Sequence, residues 1–259
     1  MGTFWEDLWR REEGFMASAK PEFRHGTYFI GVSDIASQFY CEYKAENKFA
    51  LGEIPTEAKK EGTELHDELI PGVEITADEF VRLVSKEEPS YAVLRVWGWV
   101  DGLRIIGMPD HIVWSSGRPV WLVELKTTKG DPNTLWDDQM IQTRIYGLLL
   151  EEMGFDCSML KMAVVKVRGH GLSDDDRRQW MQRVSEALMS GTTTELESVY
   201  GGLMKAHIVT YDKVKALESV AAKSGYWMGQ REATSSESIR KCHACEYNST
   251  CLKSLDRQS

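Results

Sequence analysis

Hydrophobic and polar positions change period several times along the chain. Residues 1–24 carry Phe4, Trp5, Leu8, Trp9 and Phe15 at roughly helical spacing, which predicts an amphipathic helix docked on a core. The run SDIASQFYCEYKAENKF (33–49) predicts a second helix, N-capped by Ser33 or Asp34. TEAKKEGTELHDELI (56–70) predicts a third, ending at Pro71-Gly72 with Leu65, Leu69 and Ile70 on its apolar side. Residues 73–90 are charged and irregular and read as a connection or short insertion.

From Tyr91 the period becomes two. YAVLRVWGWVDGLRIIG is two β-rich runs joined at Asp101-Gly102, a strong hairpin signal. DHIVW and PVWLVELKT follow around the turn at 115–118, so four strands make an antiparallel meander. DDQMIQTRIYGLLLEEMGF then reads as a long helix and KMAVVKVRG as another strand. SDDDRRQWMQRVSEALMS reads as a helix with Ser173 as N-cap and Asp176 at the capping-box position. DKVKALESVAAKSGYWM predicts a last helix, and a polar stretch at 229–238 leads into a cysteine-rich end. The expected organisation is one α/β domain over 1–259. It has an N-terminal helical extension (1–24), a helical segment (28–70), a strand-rich core (91–170), a helical region (173–235) and a cysteine segment (240–252).

The chain has 259 residues, of which 42% are hydrophobic, enough for one large core. No apolar run approaches the roughly 18 residues that span a bilayer. The charged, aromatic start lacks the apolar segment of a secretion signal, so a cytoplasmic protein with no membrane partner is expected. A net charge of −9 counts against a passive nucleic-acid binder, whose affinity comes from Lys and Arg at phosphates. It leaves a nuclease open, because catalytic metals bring their own positive charge.

Within the meander, GMPDHIVWSSGRPVWLVELKTT (107–128) sets Asp110, Glu124 and Lys126 in otherwise apolar sequence. Burying such charges costs several kcal/mol unless they are paired or hold a metal. Glu124 and Lys126 are two apart, so on a strand they share a face, and the hairpin partner can bring Asp110 to it. Two converging carboxylates suit a hard divalent cation such as Mg²⁺ or Mn²⁺, and a lysine beside them can orient or help deprotonate a water. These are the parts needed to hydrolyse a phosphodiester. An isolated E-x-K is more often a surface ion pair, so the context has to carry the assignment.

The combination resembles the PD-(D/E)xK nuclease superfamily, with Pro109-Asp110 and Glu124-Leu125-Lys126 as its signature. The resemblance implies a restriction-endonuclease-like core, a central mixed sheet flanked by helices. Upstream, GTELHDEL places His66 on a helix, where RecB-like members carry an extra metal ligand. Downstream, QTRIYGLLLEE matches that family's Q-x-x-x-Y element through Gln142 and Tyr146, one helical turn apart. The resemblance therefore implies His66, Asp110, Glu124 and the backbone carbonyl of Leu125 as metal ligands. Lys126 then positions water, and Gln142 and Tyr146 orient DNA. Tyr40, Trp97 and Trp136 could stack bases, although buried core is the simpler reading for each.

Five cysteines are an odd number, and a reducing compartment argues against disulfides. Three of them form C-x₂-C-x₅-C at Cys242, Cys245 and Cys251, and Cys41 in FYCEYK is the candidate fourth. The spacing by itself suits Zn²⁺ or an iron–sulfur cluster, and a local zinc knuckle with His243 is a further option. With the nuclease signature, the set resembles the iron–sulfur branch of RecB-like nucleases, specifically the CRISPR-associated exonuclease family. That resemblance implies a [4Fe-4S] cluster on Cys41, Cys242, Cys245 and Cys251, tying a helical flank to the core and closing a loop of about two hundred residues. Cys157 has no counterpart and reads as a buried free thiol. The implied activity is metal-dependent trimming of single-stranded DNA or frayed ends, commonly 5′→3′, in spacer acquisition with CRISPR integrase proteins or in repair. The competing reading is a non-catalytic DNA-end-binding or scaffold subunit that keeps the fold and the cluster.

Overall fold

The computed structural model describes residues 2–17, 22–70, 75–168 and 172–257. Helix α1 (Gly2–Ala17) buries Trp5, Leu8 and Phe15, as its spacing predicts. A two-residue strand, β1 (Ile30–Gly31), leads into α2 (Val32–Tyr40) and α3 (Glu42–Leu51). The single helix expected over 33–49 is thus two helices. Cys41 between them is extended (φ −171°, ψ 127°), and the N-cap residue is Gly31 instead of Ser33 or Asp34. Helix α4 (Glu57–Leu69) starts where Thr56 accepts a hydrogen bond from the Lys59 N–H. Its expected stop at Pro71-Gly72 lies outside the described residues.

The stretch 73–90, expected as a connection, contains α5 (Ala77–Val84). Thr76 and Glu79 form a reciprocal capping box, and Phe80 and Val84, one turn apart, are buried on its inner side. There Phe80 packs edge-on against Trp5 of α1. Strands β2 (Ser90–Tyr91), β3 (Val96–Val100), β4 (Leu103–Gly107), β5 (His111–Ser115) and β6 (Arg118–Thr127) follow. Both expected turns are tight, with positive φ at Asp101-Gly102 and at Ser116-Gly117.

The four strands do not form one meander. β3 and β4 pair with each other and, through β4, with β1 in a three-stranded sheet. β5 and β6 belong to a second sheet of order β2-β5-β6-β7-β8. The break falls at Met108-Pro109-Asp110, where Pro109 has no N–H to continue a ladder. Helix α6 (Asp137–Glu152) is the crossover that carries the chain from β6 to β7 (Lys161–Val167), its parallel neighbour over seven residues.

Helix α7 (Asp174–Ser190) has the predicted Ser173–Asp176 capping box. After α8 (Thr193–Val199), the region expected to be helical supplies a strand, β8 (Met204–Thr210), antiparallel to β7. It is an edge strand whose Lys205 and His207 alternate with buried Met204 and Ala206, which thins the apolar signal. The Ala206 N–H on that strand is bonded by Glu197 of α8 at 2.9 Å, which helps cap the edge. Helix α9 (Lys213–Trp227) and the short α10 (Ile239–His243) complete the fold.

The five-stranded sheet has an apolar core on each face. Leu122, Met162 and Val164 face one way, toward α6, α9 and α1. Val123, Leu125, Ala163 and Val165 face the other, toward α4, α7 and α8. This is the period-two alternation of a sheet buried on both sides. Among the described residues, no helix is long and apolar enough to cross a membrane.

Candidate active site

The site forms where β6 outruns β5. Pairing with β5 ends at His111 opposite Val123, so residues 124–127 of β6 have no β5 partner. There the Leu125 N–H donates to Asp110 Oδ2 at 2.7 Å, which anchors the aspartate just before β5. A strand residue sends its N–H and C=O to the same side, so the Leu125 carbonyl also faces the Asp110 side. Glu124 and Lys126 project from β6 toward α6, as the two-residue spacing predicts.

These side chains form one hydrogen-bonded chain. Lys126 Nζ donates to Glu124 Oε1 (2.7 Å) and to Gln142 Oε1 (3.0 Å). Gln142 Nε2 donates to the same Glu124 oxygen (2.7 Å) and to the Tyr146 hydroxyl (3.2 Å). Tyr146 comes this close because Gly107 lies beneath it: a Cβ there would sit 2.6 Å from the Tyr146 ring. Glu124 is 2% exposed, and its Oε2 is buried with no hydrogen-bond partner. Burial, with Asp110 nearby, pushes the Glu124 carboxyl up to about 7 despite the attraction of Lys126. For Lys126, burial disfavours the charge, but Glu124 and Asp110 win and hold the ammonium above its usual range.

His66 reaches the site from the opposite face of the sheet. Its Nε2 lies 3.0 Å from Asp110 Oδ1, and this bond raises the imidazole above its ordinary range. Helix α4 can lie against β6 because Gly62 has no side chain; a Cβ there would meet Thr127 Oγ1 at 3.0 Å. His66, Leu125 and Lys126 open onto a groove whose wall includes Thr56, Lys59 and Lys60.

The full amino-acid sequence matches the profile of the PD-(D/E)XK nuclease superfamily over residues 33–252. The chain belongs to that superfamily. The match spans the His66 helix, the Asp110–Lys126 strands, the Gln142–Tyr146 helix and all five cysteines. No curated protein matches the chain. Among solved structures, this superfamily member is similar to the crystal structure of SSO0001, at 15% identity and a TM-score of 0.45 over 96% of this chain and 95% of that one.

In this nuclease-superfamily chain, His66, Asp110, Glu124, Leu125, Lys126, Gln142 and Tyr146 thus meet at one place. Among the described residues, no three His, Cys, Asp or Glu side chains converge tightly enough to hold a metal ion as they stand. The positive groups facing the two carboxylates are Lys126 and His66. Cys41, Cys242, Cys245 and Cys251 line a second, separate cavity together with Tyr40. Burial pushes the Tyr40 phenol up to about 12, helped by Cys245, Glu246, Cys242 and Cys41. His243 projects into solvent beside Asp256 and does not line that cavity. Cys157 is buried as expected, and its thiol is pushed up to about 12 by burial. Trp97 is core, whereas Trp136, also read as core, is 55% exposed at the N-terminus of α6. Sequence reasoning missed Lys59. The available signal was its seven-residue spacing from His66, which puts both on one face of a helix.

Proposed function

We propose that this chain is a Mg²⁺- or Mn²⁺-dependent DNA exonuclease that trims single strands or frayed ends 5′→3′, in spacer acquisition beside a CRISPR integrase or in DNA repair. The observation that carries the metal-dependent reading is Glu124. Its Oε2 is buried without a partner, and burial, with Asp110 nearby, pushes its carboxyl up to about 7 despite Lys126 and His66. A divalent cation is the missing charge. His66 Nε2, Asp110, Glu124 and the Leu125 carbonyl are the groups that would hold it, drawn closer together than they stand without it. When bound, the cation supplies positive charge to the scissile phosphate and acidifies water.

The protein groups do the rest. Lys126, held by Glu124 and Gln142 as an ammonium, orients the attacking water by donating to it. Gln142 bridges Lys126, Glu124 and Tyr146, so it fixes the ammonium and the carboxylate relative to each other. Tyr146 stays protonated because burial and the nearby Glu124 raise its phenol, and it holds the Gln142 amide in place. The four thiols that line one cavity suit a [4Fe-4S] cluster on Cys41, Cys242, Cys245 and Cys251, with a structural role.

The test is degradation of 5′- and 3′-end-labelled single-stranded DNA by anaerobically purified protein, with Mg²⁺, with Mn²⁺ and with EDTA. Metal-dependent cleavage should fall by about 10²- to 10⁴-fold in Lys126→Ala. The label that is lost first gives the polarity, and visible absorption of the same sample reports the cluster. Wild type that binds DNA and cuts nothing with either metal sinks the catalytic reading and leaves a DNA-end-binding subunit.

A further inference from the structure

The groove wall and the cysteine segment meet at two side chains that neither site accounts for. The wall consists of the connection between α3 and α4 and the first turns of α4. Behind it lie Glu246 and Tyr247, between Cys245 and Cys251 in the chain. The Glu246 side chain is 8% exposed and pairs with Lys59 at 2.9 Å and with Lys44 at 3.3 Å. Lys59 also donates to the Ile54 carbonyl at 3.3 Å and to Glu53 at 3.4 Å. Tyr247 is 1% exposed, and its hydroxyl donates to the Gly52 carbonyl at 2.9 Å. The connection is therefore held at Gly52 by Tyr247 and at Ile54 by Lys59, which Glu246 in turn holds. Lys59 is two turns from His66 on one helix face, so fixing it also fixes the approach to the metal-side histidine.

We propose that Glu246 is a positioning residue for the DNA groove: it holds Lys59 and the 52–56 wall in place so that the phosphate backbone meets an ordered cation. This inference rests on the nuclease reading above. An ammonium held in advance pays its ordering entropy before DNA arrives, and phosphate contacts of this kind fix a strand's register. Because the contact lies away from the reacting atoms, Glu246 acts on KM and leaves kcat unchanged.

The experiment is a double-mutant cycle on the full chain, using Glu246→Ala, Lys59→Ala and the pair. Cleavage kinetics are read on a 5′-labelled single-stranded oligonucleotide in Mn²⁺, with thermal midpoints measured alongside. Glu246→Ala should raise KM about tenfold with kcat within about twofold of wild type, the loss of one ordered phosphate contact. In the Lys59→Ala background the same change should add little, because its route is gone. Glu246→Gln keeps an oxygen for Lys59 and should recover most of the affinity. Unchanged or lower KM in Glu246→Ala overturns the inference, as does an equal rise in the Lys59→Ala background. Wild type without cleavage removes the nuclease reading itself, and so is distinct from failure of this proposal.

Discussion

The candidate catalytic cluster and the cysteine cavity are assembled in opposite ways. In the Glu124–Lys126 cluster, every residue except His66 falls between positions 110 and 146, on or beside two adjacent strands and on the helix that crosses over them. Sheet register and the α6 repeat set their geometry, and their polar atoms bond one another. The cysteine cavity instead joins Cys41 to a segment about two hundred residues away, and a clamp built of charge holds the ends. Glu42, next to Cys41, is 1% exposed and accepts from Lys223 (2.9 Å), from both Arg231 amino groups (2.6 and 2.7 Å) and from the Thr234 N–H (2.8 Å). Around it, Tyr40 donates its hydroxyl to the Lys241 carbonyl, and Lys241 Nζ returns to the Phe39 and Tyr40 carbonyls. Local elements can place catalytic groups with little help from the rest of the chain. Distant segments need a strong long-range tie, and here Glu42 supplies it.

The largest expected effect follows from that contrast. Glu42→Ala leaves Lys223 and Arg231 without their carboxylate and should cost about 3–5 kcal/mol, which lowers the thermal midpoint by on the order of 10 °C. Burial alone would raise the Glu42 carboxyl; Arg231, Lys223 and the Thr234 N–H overcome this and hold it at about 2. Its folded value is therefore depressed, so the stabilisation is complete above about 4.5 and disappears as pH falls toward 2. The gap between wild type and Glu42→Ala should narrow in acid, read by thermal melts between pH 7 and 3. A variant as stable as wild type at pH 7 would break the comparison, because the clamp would then hold nothing.

In the groove the sign is reversed. Burial raises the Glu124 carboxyl to about 7, so wild type loses stability as pH climbs from about 4.5 through 7. Glu124→Gln should abolish cleavage yet melt a few degrees above wild type at pH 8 in EDTA, and level with it near pH 4. That outcome would mark a site whose buried carboxylate is kept at the expense of the fold. Equal melting at both pH values would mean that Lys126 and His66 already neutralise the carboxylates fully.

The same contrast explains what could be read from the sequence. Glu124-x-Lys126, the turns beside them and the Gln142–Tyr146 spacing are local, so residue period was enough to place them on β6 and α6. The C-x₂-C-x₅-C pattern was equally plain, and Cys41 was its only unassigned partner near the N-terminus. Helix α5 is only eight residues long, so its apolar Phe80, Val81, Leu83 and Val84 make too short a run to stand out from the charged stretch around it, although Thr76 and Glu79 carry a capping-box signal. β8 was lost because an edge strand with Lys205 and His207 lacks a clean apolar run. The extended backbone at Cys41, the split of the meander at Pro109 and the contact of His66 with Asp110 depend on tertiary packing. Glu42 and Glu246 gave no signal, since an acid beside a cysteine looks like solvated surface until its partners, up to 192 residues away for Glu42, are brought to it.

The smallest effect sharpens the account of the groove. Tyr146 is buried, its ring lies against Gly107, and its hydroxyl accepts one hydrogen bond from Gln142 at 3.2 Å. Tyr146→Phe removes that bond and preserves the ring. One such bond is worth about 0.5–1.5 kcal/mol, so kcat should fall about 2- to 10-fold while the thermal midpoint stays within a degree or two. Gln142 keeps its bonds to Glu124 and Lys126 in this variant, which is why the loss is modest. A fall as large as that of Lys126→Ala would mean that the phenol touches the reacting groups itself. No fall at all would mean that Lys126 and Glu124 suffice to orient the Gln142 amide, and that the tyrosine of the motif serves here as packing.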